Sequence, residues 1–146
     1  MVQMKEETNI RIPIVHIGVG QERYALRLEH VREVIRMRAV TELPGKASIL
    51  GVVHVRGTII PIVSLRSRLS MLEEAPTKST RIVVIALGDT LVGLVVDRVY
   101  QVTELGELQP PPERMGAADS RFLTGIGQLD GELIGLLKLE YILEAG

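Results

Sequence analysis

Two stretches of this chain repeat each other without a gap. GVVHVRGTIIPIVSLRSRL (51–69), set above GIGQLDGELIGLLKLEYIL (125–143), brings Gly51 over Gly125, Gly57 over Gly131, Ile60 over Ile134, Leu65 over Leu139 and Leu69 over Leu143. All five coincide at one offset, 125 − 51 = 74. The chain therefore holds two similar supersecondary units, each a strand, a tight turn, a strand and a short helical turn. Arg56-Gly57 and Asp130-Gly131 are the expected turn tips, and Asp-Gly is a strong signal for a type I′ hairpin.

The echo extends upstream. Ile12 to Val19 and Tyr24 to Leu28 are short aliphatic runs around Gly20-Gln21-Glu22-Arg23, which reads as a hairpin. Arg81 to Leu87 and Leu91 to Val96, joined by Gly88-Asp89-Thr90, have the same shape. Each is followed by a related segment, Val31-Arg32-Glu33-Val34 in one case and Val99-Tyr100-Gln101-Val102 in the other. With one Phe, three Tyr and no Trp, the core must be built from Val, Ile and Leu, which favour half-buried strands. The expectation is a mostly β protein with two small barrels or curled sheets, over approximately 10–75 and 80–146, with exchange of strands between them left open. Small domains keep much of their surface exposed, so the two units should pack as one body. Helix is minor: Leu65 to Ser70 with Ser64 as N-cap, a turn near Leu28 to Val31, and Leu139 to Leu143. Met71 to Ser79 and Thr103 to Ser120 read as connections, the second stiffened by Pro110, Pro111 and Pro112.

Charge and composition exclude several functions. A net charge of −1 lacks the one-signed field that nucleic acid or an anionic membrane usually requires. There is no cysteine, so disulfides and thiolate sites are out. Met1 to Asn9 is polar, without the apolar stretch of a signal peptide. The apolar runs fall far short of the ~20 residues of a membrane span, and a soluble, cytoplasmic protein is expected. His16, His30 and His54 lie in separate segments without metal-ligand spacing and read as pleat or surface residues. The glycine pairs Gly18/Gly20 and Gly125/Gly127 lack the ending of a phosphate loop. No enzyme, metal or cofactor is expected. A ligand-binding or enzymatic barrel is the rival reading from another class, and it would need a deep pocket with converging polar groups.

GVVHVRGTIIPIVSLR (51–66) resembles the signature of CheW-type chemotaxis coupling proteins: Gly, three variable positions, Leu-Arg-Gly, an aliphatic run broken by Pro, then Asp-Leu-Arg. The resemblance continues through VREVI (31–35), Leu43-Pro44, VGLVVDRV (92–99), the triple proline and FLTGIGQLDG (122–131). It implies a single domain over 1–146 with two five-stranded, SH3-like β-barrel subdomains. It also implies a non-enzymatic cytoplasmic scaffold that links a histidine kinase regulatory domain to the cytoplasmic helical hairpin of chemoreceptors, peripheral to the membrane only through receptor arrays and monomeric when isolated. His54-Val55 replaces the usual Asn-Leu, Ser64 the usual Asp, and Lys138 an Asp found in many members. These departures leave open an adaptor of a non-flagellar chemosensory pathway.

The same resemblance assigns Arg56, Glu33, Val31 and Val102 to receptor binding, with Val99 added as the match of Val31 in the other half. Arg56 carries a forked donor suited to a carboxylate, and Glu33 is expected within ion-pair reach, orienting it. Ile49, Leu50 and Gly51 are the candidates for kinase binding. Gly57 and Gly131 serve turn geometry, as Gly51 also does for a bend.

Overall fold

A computed structural model describes residues 10–45 and 48–144. The reading of Met1 to Asn9 lies outside the described residues. Alternating and continuous aliphatic runs form the strands where they were expected. β1 (Ile12–Val19) and β2 (Glu22–Arg27) meet at a tight turn over Gly20 and Gln21, followed by a 3-10 turn (Leu28–His30) and β3 (Val31–Arg36). β4 (Gly51–Val55), β5 (Thr58–Ser64) and the short helix α1 (Leu65–Arg68) form the first of the repeated units. β6 (Arg81–Leu87), β7 (Thr90–Val96) and β8 (Arg98–Leu105) come next. The short pair β9 (Arg114–Met115) and β10 (Ala118–Asp119) precedes a 3-10 turn (Ser120–Phe122). β11 (Leu123–Leu129), β12 (Glu132–Leu137) and α2 (Leu139–Glu144) complete the second repeated unit. The segment expected as a plain connection, Thr103 to Ser120, therefore contains the end of β8 and the β9–β10 ladder. Paired across from β1, Thr103 and Leu105 belong to the sheet.

The two principal sheets have five strands each, ordered β11-β12-β2-β1-β8 and β3-β6-β7-β5-β4. Written as twins (β1 with β6, β2 with β7, β3 with β8, β4 with β11, β5 with β12), the two orders are the same. The hairpins are exchanged: β1–β2 completes the sheet of the C-terminal unit, and β6–β7 that of the N-terminal unit. The sheets thus cut across the contiguous spans 10–75 and 80–146. In each sheet the exchanged hairpin is attached by one parallel pairing, β2 to β12 and β7 to β5, with antiparallel neighbours elsewhere.

Each sheet closes on itself through one isolated bridge. Beyond β3, Thr41 exchanges two backbone hydrogen bonds with Val52 (2.9 and 2.8 Å), and beyond β8, Gln109 does the same with Ile126 (2.7 and 3.0 Å). Closure brings backbone against the first glycine of each repeat. A Cβ on Gly51 would stand 2.1 Å from the Thr41 carbonyl oxygen, and one on Gly125 2.8 Å from that of Gln109.

Three apolar cores result. Ile14, Ala25, Leu105, Ile134 and Leu136 fill one barrel. Val53, Val55, Ile60, Ile62, Ile82 and Val84 fill the other. The third lies between them, where Val15, Ile17, Tyr24 and Leu26 meet Val63, Val83, Ile85 and Leu94, with Leu65, Leu69, Leu139 and Ile142 from the two helices. β1 is buried on both faces because one face looks into its barrel and the other onto the second barrel. Among the described residues no helix is long and apolar enough to cross a membrane.

Candidate docking site

The tip between β4 and β5 is a two-residue turn in which Arg56 and Gly57 both take positive φ (49° and 82°), and its twin has Asp130 and Gly131 at 53° and 83°. This is the type I′ geometry, whose twist matches that of the flanking strands. Asp tolerates the left-handed conformation better than Arg, so Arg56 holds its position against local preference. Its side chain reaches out, 75% exposed, and donates a hydrogen bond to the Glu33 carboxylate, itself 26% exposed. The expected ion pair is therefore present, and Glu33 holds the Arg56 guanidinium above its usual pKa.

Glu33 follows a bulge in β3 and sits opposite Val84, a residue of the barrel interior. It thus stands where that interior opens to solvent. The twin of Glu33 is Gln101, following the equivalent bulge and opposite His16. The ion pair is a feature of one barrel only.

The valines divide. Val31 and Val99 lie opposite Ile85 and Ile17 and pack, half-buried, against the core between the barrels. Val102 lies on the same face as Val15 yet is 61% exposed. Its twin Val34, opposite Val83, is also exposed. Sequence reasoning missed Val34, although the match of 31–34 with 99–102 pairs it with Val102. Ile59 and Leu133 were missed as well; they are twins at the offset of 74 and both more than half exposed. Each barrel thus carries exposed apolar residues on its rim, Val34 and Ile59 on one and Val102 and Leu133 on the other.

Two further polar features, one half-buried and one buried, lie elsewhere. Asp97, between β7 and β8, accepts from Arg66 Nε (3.0 Å), from a terminal Arg66 nitrogen (2.6 Å) and from the Gly20 backbone N–H (2.6 Å). Arg66 belongs to α1 of one barrel and Gly20 to the first turn of the other, so the carboxylate ties the two together. Burial pushes the Asp97 carboxyl upward, but the hydrogen bonds from Arg66 and Gly20 and the charges of Arg66 and Arg98 outweigh it and lower its pKa. His16, read as a pleat or surface residue, is instead 5% exposed inside its barrel, with neither ring nitrogen hydrogen-bonded. It stacks on Tyr100 at 4.6 Å, and burial, then Arg23, lowers its pKa.

A cleft of about 440 Å³ runs between the barrels past Gly20, Ser64, Arg66 and Asp97. Arg66 and Asp97 in its floor are already engaged with each other, and Glu73, Glu74 and Arg98 also line it. Among the described residues no three His, Asp or Glu side chains gather as metal ligands would.

The family profile described as CheW-like domain matches residues 13–146. The chain belongs to the CheW-like family. It is similar to the chemotaxis protein CheW of Helicobacter pylori, with 30% identity over 96% of this chain and 87% of that one. It is also similar to Protein FrzA of Myxococcus xanthus, with 34% identity over 86% and 81%. The crystal structure of scaffolding protein TtCheW from Thermoanaerobacter tengcongensis superposes with a TM-score of 0.84 at 29% identity, over 94% of this chain and 95% of that one. These likenesses mark the chain as an adaptor of the chemotaxis type, and the two SH3-like barrels as those of the family.

At the CheW-like signature, Ser64 Oγ accepts from the Ser67 N–H at 3.2 Å, so α1 starts with a cap where members use Asp. Lys138 supplies no side-chain acceptor to α2; its backbone carbonyl takes the N–H of Tyr141 and Ile142. His54 points outward and Val55 inward, preserving the alternation of β4. Of the residues assigned to kinase binding, Leu50 is exposed, Ile49 packs half-buried against the core between the barrels, and Gly51 is buried at the barrel closure. Gly57 and Gly131 have open space around them and serve the turn dihedrals.

Proposed function

We propose that this CheW-like chain is a non-enzymatic cytoplasmic scaffold that joins a chemoreceptor's cytoplasmic helical hairpin to the regulatory domain of a histidine kinase. The observation that carries the reading is the Arg56–Glu33 pair: a cation held on an unfavourable turn, oriented by a carboxylate, beside an apolar rim. A carboxylate on a partner helix can exchange for or join Glu33, while Val34 and Val31 of the same strand meet the helix's apolar ridge. Val99 and Val102 offer a second apolar rim on the other barrel, and Ile49, Leu50 and Gly51 mark the region assigned to the kinase. Binding both partners couples their affinities, and the kinase supplies the chemistry. The test is a pull-down of a receptor-tip fragment and of the kinase regulatory domain. Arg56→Ala should lose the receptor fragment and keep the kinase domain, with an unchanged circular dichroism spectrum. Receptor binding retained by that variant removes Arg56 from the interface. The departures at His54, Ser64 and Lys138 leave open, as a second reading, an adaptor serving a non-flagellar output, and the likeness to Protein FrzA supports it; the kinase recovered from cells decides between them.

A further inference from the structure

β3 ends in a charge arrangement that its twin lacks. Arg36 and Arg81 are direct cross-strand partners of β3 and β6, and like charges so placed repel each other. The twin positions in the other barrel, at an offset of 68, are Glu104 and Pro13, which pair with each other in the same register. The fold thus forms without paired arginines at this point. Lys78 joins them, and together with Met37, Thr77 and Thr80 the three cations line a depression of about 360 Å³.

The cluster is held in place and, among the described residues, left without a counter-charge. One Arg81 terminal nitrogen donates to the carbonyls of Lys78 (2.8 Å) and Thr80 (2.9 Å), which fixes the guanidinium against the loop. The loop is itself pinned, with the Thr77 N–H on Thr80 Oγ1 at 2.9 Å and the Ser79 N–H on Thr77 Oγ1 at 3.1 Å. The ion pairs among the described residues involve Arg23, Arg27, Arg56, Arg66 and Arg121, and none of them reaches Arg36, Lys78 or Arg81. In a chain of net charge −1 this is a local surplus of positive charge, complementary to an acidic partner.

We propose that Arg36, Lys78 and Arg81 form a docking site for an acidic segment of a partner protein, one that sets Asp or Glu side chains beside an apolar residue. Two guanidinium forks match carboxylates in geometry and charge. The apolar requirement comes from the neighbours: Met37 lines the depression, and Val34, two residues before Arg36 on the same face of β3, is exposed. A bare anion would leave that surface in water. The site continues the Val34 rim along β3 and is separate from the Arg56 tip.

The probe is a fluorescein-labelled peptide of repeating Leu-Glu-Glu units, followed by anisotropy against the full chain. Wild type should bind it with an affinity that falls steeply as salt rises. The double variant Arg36→Gln/Arg81→Gln, which removes a repulsion along with the Arg81 bonds to the loop and should keep the wild-type circular dichroism spectrum, should bind ~10-fold or more weakly, the loss expected for about one charge-assisted contact. Replacing Leu by Ser in the peptide should also weaken binding, and Arg121→Gln, at an arginine outside the cluster, should leave it unchanged; the receptor-fragment pull-down is read independently, so failure here and failure of the receptor reading are separable. Equal binding by wild type and the double variant overturns the proposal. So does preferential binding of inorganic phosphate, or of phosphatidylserine vesicles in place of the peptide, because either makes the cluster a site for a different ligand.

Discussion

Removing the Asp97 carboxylate should loosen the two barrels from each other. In Asp97→Ala, Arg66 loses two hydrogen bonds and the Gly20 N–H loses one. Each bond to a charged group is worth about 1.5–3 kcal/mol, and three on one carboxylate are not additive. Arg66 also keeps its bond to the Leu72 carbonyl at 2.9 Å and a 3.7 Å approach to Glu74, which softens the loss. The side chains of Arg66 and Asp97 are only 12% and 23% exposed, so water restores little of what is removed. The expected cost is about 2–4 kcal/mol, read by urea denaturation at neutral pH, with a fall in Tm of roughly 5–15 °C for a chain of this size. The pH dependence provides a second reading. Because the folded carboxyl has a lowered pKa, its stabilisation is complete above the unfolded value of 3.8 and is lost as pH falls through the lower folded value. The gap between wild type and variant should therefore narrow in acid. A loss under ~1 kcal/mol at neutral pH, or a gap that persists undiminished in acid, would refute the clamp.

Three further outcomes can be checked by the same denaturation measurements. Gly51→Ala drives a Cβ to within 2.1 Å of the Thr41 carbonyl oxygen at a φ of 152°, and should destabilise by about 3 kcal/mol or more, with early amide exchange at Val52. Ser64→Ala removes the cap on the Ser67 N–H and should cost about 1 kcal/mol, recovered by Ser64→Asp. His16, neutral and buried, should make the fold less stable as pH drops below its unfolded value of 6.5 toward the lowered folded one, because the unfolded chain takes up the proton first. His16→Val, which installs the residue found at the twin position Val84, should abolish that portion of the pH profile; a profile unchanged by the substitution contradicts the assignment.

What the amino-acid sequence determined by itself was whatever a few adjacent residues decide. The type I′ tips at Arg56-Gly57 and Asp130-Gly131, the Ser64 cap and the extent of the aliphatic strands are local balances of dihedral preference and hydrogen bonding, and the repeat at an offset of 74 made them readable twice. The meeting of Arg56 with Glu33 was also legible, through the resemblance of both segments to one family. Which sheet each hairpin would join was not. β1 and β6 carry near-continuous apolar runs, since both faces of each lie buried, and a pattern without a solvent side gives no register or partner. Only the closed barrels, with Gly51 and Gly125 admitting the closing backbone, settled that exchange. The burial of His16, the Arg66–Asp97–Gly20 tie and the facing of Arg36 with Arg81 depend on the same long-range pairing, because each joins residues whose chain separation leaves no local trace.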